Sequence, residues 1–320
     1  MKRVAVLRGG PSEEYEVSMK SGKQVLDTLK SMDYAVKDIV ITKKGEWLDN
    51  GIERTPDNAL EAIDIAFLAL HGKYGEDGGV QKILQRKSIP FTGSRAFPSA
   101  IAFNKHLTKE TLLPHGMLMP KHVTLKGDSL WSIHSQIDDI YKNIGTELFV
   151  KPTTNGSSFG ASFVSSQDEL EIALDHLLGL YGEVMVEEFI RGKEATVGIL
   201  ENFRNESHYI LPPIEIIPPD DAKFFDTDVK YNGRTTELVP GRFSYSEKQK
   251  LAEMALLAHT TLGLEHYSRS DFLIKDGEVY FLEVNTLPGL TSESLFPKSA
   301  QAVGLEFKQL IEHLIETSKY

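Results

Sequence analysis

The stretch KPTTNGSSFGAS, residues 151–162, separates two short apolar runs at 147–150 and 161–164. Runs of that length and composition predict buried strands. The loop between them is rich in Gly and Ser, so its backbone N–H groups stand clear of side chains. Such loops wrap anionic oxygens, because close approach needs Gly and the amide donors match phosphate. Its position constrains the fold further, since it leads from strand to strand and not from strand to helix. The chain has no G-x-x-x-x-G-K-S/T, and no G-x-G-x-x-G follows a predicted strand despite Gly9-Gly10. A P-loop is thereby excluded, and a dinucleotide-binding Rossmann site has no support.

At 320 residues the chain exceeds one ordinary core and predicts two or three domains. Apolar and charged fractions of 41% and 25% place it among soluble globular proteins. A net charge of −11 argues against a broad nucleic-acid face, while leaving room for a local basic cleft. The absence of cysteine removes disulfides, thiolate zinc sites and cysteine nucleophiles, and fits a reducing cytoplasm. The start, MKRVAVLRGG, has an apolar run of only four residues before Arg8, too short for a signal peptide. No run approaches the ~20 apolar residues of a membrane-spanning helix. A cytoplasmic protein with neither membrane nor nucleic-acid partners is expected.

Val4–Leu7 ahead of Gly9-Gly10 predicts a strand and a tight turn, followed by a helix from about Glu16. Further strands at 36–41, 63–70 and 89–94 alternate with helical patterns, as in a parallel sheet. This first domain is placed at residues 1–95. A helix containing Asn104-Lys105, the Gly-Ser loop, and a helix over 167–178 with an acidic start suited to the dipole make a small α+β domain, 96–181. The remainder, 182–320, reads as a mixed-sheet domain. It holds strands in VMVEEF, EATVGIL and HYILPPIEI, a long polar loop at 218–234, a helix over 247–262, two more strands and two terminal helices.

The two late strands carry chemistry. In YSRSDFLIKDGEVYFLEVN, alternation puts Arg269 and Asp271 on one face of the first strand, and Glu283 and Asn285 on one face of the second. Acidic and amide groups in apolar strands cost several kcal/mol if buried unpaired. Asp271, Glu283 and Asn285 together form an oxygen-rich set suited to Mg²⁺. A two-residue turn at Asp276-Gly277 would put Glu283 on the face opposite Asp271. The expectation is therefore a three-residue loop, Lys275-Asp276-Gly277, or an equivalent bulge.

The segments GGPSEEYEVS, ALHGKYGEDGG, IPFTGS, FNKHLTK, VKPTTNGSSFGAS, VEEFIRGKEATV, KYNGRTTELVPG, SRSDF and LEVNTLPGLTSESLFP follow one another from residue 9 to residue 297. In this order they resemble the D-alanine–D-alanine ligases of the ATP-grasp fold. The resemblance implies a three-domain α/β and α+β architecture with a Rossmann-like N-terminal domain and ATP held between the central and C-terminal sheets. It implies ATP with Mg²⁺ (two ions, Mn²⁺ able to substitute), an activating K⁺, D-alanine as the other small-molecule substrate, and a homodimer. The reaction it implies starts with attack of one D-alanine carboxylate on the γ-phosphate of ATP. The amine of a second D-alanine then attacks the acyl phosphate, giving D-alanyl-D-alanine for peptidoglycan precursors.

Carried over residue by residue, Lys105 and Lys151 match the phosphate-binding lysines, and the loop containing Ser157 and Ser158 folds over the phosphates. Glu187 and Glu194 match the adenine-site and ribose-site glutamates, with the backbone of Glu188, Phe189 and Ile190 at the adenine edge. Strand-end carboxylates in solvent are the plain alternative for VEEF. Asp271, Glu283 and Asn285 match metal ligands, the alternative being a salt-bridge network with Arg269. Arg269 and the Gly289 N–H match the groups that stabilise the tetrahedral intermediate, and Lys230 on the polar loop reaches the γ-phosphate of a lidded site. Glu14 matches the carboxylate on the first substrate's ammonium, or is an ordinary helix-start acid. Ser157 and Tyr231 are its hydrogen-bonded partners. His71 is either a structural histidine or a member of the same pocket, and Ser294 with the Leu295 amide matches the second substrate's carboxylate site.

Arg8 stands where an apolar residue is usual, and Phe159 is bulkier than the usual small aliphatic. An aromatic there keeps a D-alanine–D-lactate ligase in view, whereas Tyr231 resembles the peptide-forming enzymes. A different ATP-grasp carboxylate–amine ligase is the other rival, against which Glu14, Ser157, Tyr231 and Ser294 speak. A non-catalytic ATP-binding protein would be expected to lack metal ligands or the arginine, and none is missing.

Overall fold

Val4, Ala5, Val6 and Leu7 are all fully buried in β1 (Arg3–Gly9), as a strand covered on both faces requires. In the computed structural model, which describes residues 2–127, 130–155, 160–219 and 235–318, β1 is parallel to β2 (Ala35–Ile41) and β5 (Ile65–Leu68). The sheet order is β4-β3-β2-β1-β5, with β3 at Trp47–Asp49 and β4 at Ile52–Arg54. The β3–β4 hairpin turns on Asn50-Gly51, both at positive φ (47° and 84°). Asn-Gly is a strong signal for this turn, and the sequence reading passed it over. The segment 89–94, expected as a strand, makes only a single bridge, Ala66–Phe91. Pro90 has no N–H to donate, and the Leu68 N–H goes to the Thr92 hydroxyl (2.9 Å) instead of a backbone carbonyl.

Helix Tyr15–Lys30 crosses from β1 to β2 and buries Val25, Leu26 and Leu29. Ser18 is buried because its hydroxyl accepts from the Gly9 N–H and donates to the Ala69 carbonyl, both at 2.7 Å. The same helix explains Arg8. Its guanidinium grips Asp38 on the neighbouring strand through two bonds, Nε–Oδ1 at 2.8 Å and Nη2–Oδ2 at 2.6 Å. Its aliphatic stem fills the space above Gly22.

The second sheet is antiparallel, in the order β6-β9-β7-β8, with β6 at His122–Lys126, β7 at Leu148–Pro152, β8 at Ser162–Val164 and β9 at Glu183–Glu188. Helix Gln167–Tyr181 buries Leu170, Leu174, Leu177 and Leu178 against it, begins at a Ser166 cap and ends at left-handed Gly182. Left-handed Gly182 turns the chain straight back into β9. That strand pairs with β6 and β7, so sheet membership runs past the boundary drawn at 181/182. The expected helix through Asn104-Lys105 is two helices, Ala96–Phe103 and Lys105–Leu112. Asn104 leaves helical geometry and caps the second, its side chain accepting from the Leu107 N–H.

The third sheet runs β13-β12-β10-β14-β15, with β11 added on β10. Its strands are β10 (Lys193–Phe203), β11 (Glu206–Ile210), β12 (Ile214–Ile217), β13 (Thr236–Leu238), β14 (Tyr267–Lys275) and β15 (Glu278–Asn285). Helix Tyr245–Thr261, started by a Ser244/Glu247 capping box, packs Leu251, Ala255 and Ala258 on this sheet. Helices Leu295–Ala302 and Phe307–Glu316 return to the first core, where Leu310, Ile311, Leu314 and Ile315 join Val4–Leu7. Residues 220–234, most of the polar loop expected at 218–234, lie outside the described residues.

The β14–β15 turn corrects one expectation and meets its alternative. Asp276 and Gly277, at φ 53° and 77°, form a two-residue turn, not a three-residue loop. The pairing runs regularly to Phe272–Phe281, then shifts, and Asp271 faces Glu283. Leu282 is the extra residue of a bulge, which restores the shared face the turn alone would have lost.

A Cβ on Gly22 would lie 2.5 Å from both Cβ and Cδ of Arg8. Gly22→Ala is expected to lower stability by about 1–3 kcal/mol in urea denaturation, through overpacking and a displaced Arg8–Asp38 pair. An unchanged midpoint would contradict this packing.

Candidate active site

Three cationic side chains converge where the second and third sheets face each other. Lys151, near the end of β7, meets Glu187 of β9 at 2.6 Å. Lys109 reaches the other oxygen of the same carboxylate from helix Lys105–Leu112. Glu187 and Lys109 are 2% and 0% exposed, so neither charge is hydrated. Burial alone would raise the Glu187 carboxyl, but the two ammonium groups outweigh it and hold it at about 2. Lys109 is pushed down to about 8 by burial, against the pull of Glu187. One turn before Lys109, on the same helix face, Lys105 points to the third sheet. There its Nζ lies 3.1 Å from Glu283 and also donates to the Asn155 carbonyl.

Opposite these lysines, the bulged hairpin presents Asp271, Glu283 and Asn285. Arg269 is buried and donates twice to Asp271, Nε–Oδ1 at 3.0 Å and Nη2–Oδ2 at 2.9 Å. Asn285 Nδ2 adds a bond at 3.2 Å, and the Thr196 hydroxyl donates from β10. Burial would lower the Arg269 pKa, but Asp271, Glu283 and Glu76 outweigh it and raise it. Between the two sides lies a cleft of about 340 Å³. Phe149, Phe189, Ile190, Phe272 and Leu282 form apolar walls, and Lys105, Lys151, Glu187, Glu188, Glu194, Arg269, Asp271 and Glu283 the polar ones, with Leu295 at the rim. An apolar cleft with a few converging charges is the usual form of a small-molecule site. The N–H groups of Glu188 and Phe189 already bond the Lys121 and Glu147 carbonyls (2.9 Å each).

A second cluster abuts the first. Glu14 is 9% exposed, and its Oε2 has no hydrogen-bond partner among the described residues. It stands over Gly72, where a Cβ would come within 2.8 Å of Oε2 and where φ is +68°. Close by, Glu76 accepts from the N–H of Gly72 (2.8 Å) and of Leu287 (3.1 Å). Burial, then the Glu14 charge, pushes Glu76 up to about 7. His71 meets Ser21 Oγ through Nε2 (3.0 Å) and the Leu287 carbonyl through Nδ1 (2.9 Å). That pattern assigns the Nδ1–H tautomer and gives His71 a bracing place between the first sheet and the segment after β15. Farther along that segment, Ser294 stands at the N-cap position of helix Leu295–Ala302 without a side-chain capping bond, its hydroxyl bonded instead to Thr291 and 2.8 Å from where a Gly289 Cβ would stand. Ser157, Ser158, Phe159, Lys230 and Tyr231 lie outside the described residues.

Two family models divide the chain between them. The D-ala D-ala ligase N-terminus matches residues 3–59 and 49–94, and the D-ala D-ala ligase C-terminus matches residues 113–316. The chain belongs to the D-alanine–D-alanine ligase family. Among its relatives, the D-alanine–D-alanine ligase of Pelotomaculum thermopropionicum is 38% identical over 319 residues, covering 98% of this chain and 96% of that one. The Bacillus anthracis D-alanine–D-alanine ligase complexed with ATP superimposes with a TM-score of 0.80 at 31% identity, covering 99% and 97% of the two chains. The D-Ala:D-Ser ligase VanG of Enterococcus faecalis gives 0.83 at 29% identity, covering 98% of each. The fold is the ATP-grasp arrangement with a Rossmann-like first sheet.

Sequence reasoning within the family missed Lys109, Thr196 and Glu76. Lys109 had a signal, four residues after Lys105 on a short helix. Thr196 had one only in hindsight, since its role depends on which strand pairs with β14. Glu76 sat unremarked inside HGKYGEDGG.

Lys109→Met leaves Glu187 with one cation in place of two. Such a loss typically costs about 3–5 kcal/mol. A urea midpoint within error of the parent chain would show that the buried trio contributes nothing to stability.

Proposed function

We propose that this chain joins two D-alanine molecules at the expense of ATP, through an acyl phosphate, and so supplies a peptidoglycan precursor. One observation carries the reading beyond family membership. Glu14 and Glu76 form a buried acidic pair, with Glu14 Oε2 lacking a partner among the described residues, and Glu76 shares a small recess with Lys105, Glu283 and Asn285. An α-amino acid placed across them sets its ammonium by the carboxylates and its carboxylate toward Arg269 and the lysines. Charge complementarity alone orients it.

In this reading Lys105 and Lys151 hold phosphate oxygens, helped by the backbone of the loop at Ser157 and Ser158. Glu187, with Ile190 and the carbonyls of Glu188 and Phe189, faces the base, and Glu194 the ribose. Arg269 and the Gly289 N–H carry the charge that develops on the attacked carbonyl. Ser294 and the Leu295 N–H, at the positive end of a helix, take the second carboxylate. Lys230 and Tyr231 complete the site from the polar loop. The all-oxygen set of Asp271, Glu283 and Asn285, gathered on one face by the bulge, fits Mg²⁺. Bound there, the ion would supply charge neutralisation for the transferring phosphate. Arg269 and Lys105 balance these carboxylates in the meantime. The reading also includes a homodimer, which sedimentation of the purified chain checks.

VanG, one of the structural neighbours, is a D-Ala:D-Ser ligase, so the backbone alone does not select the second substrate. Phosphate release with Mg²⁺ and K⁺ is to be followed against D-alanine, L-alanine, and D-alanine mixed with D-serine or D-lactate, with products weighed by mass spectrometry. D-alanyl-D-alanine from D-alanine alone is expected. Release only with a mixture would overturn the choice of second substrate, and none with any would overturn the amino-acid half of the site.

Glu76 adds a pH test. Its folded pKa of about 7 lies above the ordinary carboxylate value, so its contribution to stability is complete below about pH 4.5 and lost as pH rises toward 7. The shift corresponds to about 3 kcal/mol. Stability of Glu76→Gln, measured against the parent from pH 4.5 to 7.5, should lack that decline, and parallel curves would contradict the assignment.

A further inference from the structure

The far end of β10 carries a cluster that the ligase chemistry does not use. Glu201 on β10 and His208 on β11 face each other across the strand pair, and His259 comes down on them from helix Tyr245–Thr261. Glu201 Oε1 lies 3.8 Å from His208 Nε2 and 3.5 Å from His259 Nε2, and one ligand atom from each residue falls within 4.8 Å of the others. Two imidazoles and a carboxylate are a donor set for zinc and its neighbours, not for Mg²⁺ or Ca²⁺.

A second observation points the same way. His259 is completely buried, and its Nε2 makes no well-formed hydrogen bond among the described residues, its nearest charged group being Glu201 Oε1 at 3.5 Å. Its other nitrogen, Nδ1, is 2.7 Å from Ser268 Oγ on β14. If Nδ1 donates to that hydroxyl, the ring is fixed with the Nε2 lone pair aimed at Glu201 and His208. A hydrogen bond to the far nitrogen is how proteins orient a ligating histidine. Burial lowers the His259 pKa against the opposing pull of Glu201, and a lowered pKa favours the neutral ring a ligand needs. A buried nitrogen without a well-formed hydrogen bond is otherwise costly. Ligands of a tetrahedral zinc stand roughly 3.3 Å apart, so donors within 4.8 Å of one another need to close by at most about 1.5 Å. His208 is partly exposed, which leaves solvent access for a fourth ligand.

We propose that Glu201, His208 and His259 form a zinc-class metal site separate from the ligase cleft, with water as the fourth ligand. The site lies five residues along β10 from Thr196, roughly 16 Å from the Asp271 cluster. It ties β10 and β11 to helix Tyr245–Thr261, so its effect is on stability.

The test is equilibrium dialysis of the metal-stripped full chain against Zn²⁺ in excess Mg²⁺, repeated with His208→Ala and Asp271→Asn. One zinc per chain is expected in the parent and in Asp271→Asn, and none in His208→Ala. Zinc should raise the melting temperature of the parent but not of His208→Ala. Ser268→Ala should weaken binding by about tenfold. Co²⁺ substitution should give the intense visible bands of a four-coordinate ion, and turnover of His208→Ala with Mg²⁺ should match the parent. No bound zinc, equal zinc in His208→Ala, or zinc lost with Asp271→Asn would each overturn the proposal.

Discussion

A carboxylate with no access to water sits between two lysines, and the cleft is organised around it. Glu187 alone on β9 would be untenable at its depth. Lys109 and Lys151 make it tolerable, and in doing so bind helix Lys105–Leu112 to the four-stranded sheet. The trio keeps one positive charge more than it neutralises. That surplus faces the cleft from Lys151, where an anion lowers the energy of the whole group. The same helix carries Lys105 across to Glu283, so one short element holds the two sheets in register for a ligand between them. Asn104 matters for this reason, because a continuous helix would have started Lys105 and Lys109 from a different direction.

The facing wall uses a complementary device. Asp271 is saturated by Arg269, Asn285 and Thr196, and Glu283 leans on Lys105. The acidic groups therefore enter the cleft already compensated, which lets them exist in apolar strands before any metal arrives. In the proposed reading, a divalent ion and a polyphosphate bound together would exchange partners without leaving a charge stranded. The acidic pair at Glu14 and Glu76 is less fully compensated, since Arg269 and two backbone N–H groups act on Glu76 while Glu14 Oε2 has no partner among the described residues. Its remaining need is for a cation, and an amino acid brings one.

Much of this was visible in the chain before any coordinates. Apolar runs marked β1, β2, β7, β10, β14 and β15, because buried strands announce themselves by composition. The Asp271–Glu283 pairing was anticipated as a condition on register, although the device was a bulge at Leu282 and not a longer turn. What stayed hidden depended on long-range pairing. Thr196 becomes a ligand of Asp271 only because β10 lies beside β14, and β9 belongs to the second sheet only because it inserts between β6 and β7. Arg8 looked anomalous for the same reason, as its partner Asp38 is on the next strand. The short hairpin at Asn50-Gly51 was within reach and was missed.

In the proposed reaction the cleft brings a D-alanine carboxylate onto the γ-phosphate of ATP. Turnover of D-alanine labelled with ¹⁸O in its carboxylate tests it most directly, with the released phosphate analysed by mass. Attack by the carboxylate followed by displacement by an amine moves one labelled oxygen into each phosphate. Phosphate carrying one ¹⁸O is the predicted result. Unlabelled phosphate, with peptide still formed, would contradict the acyl-phosphate route and the roles given to Arg269, Lys105 and Lys151.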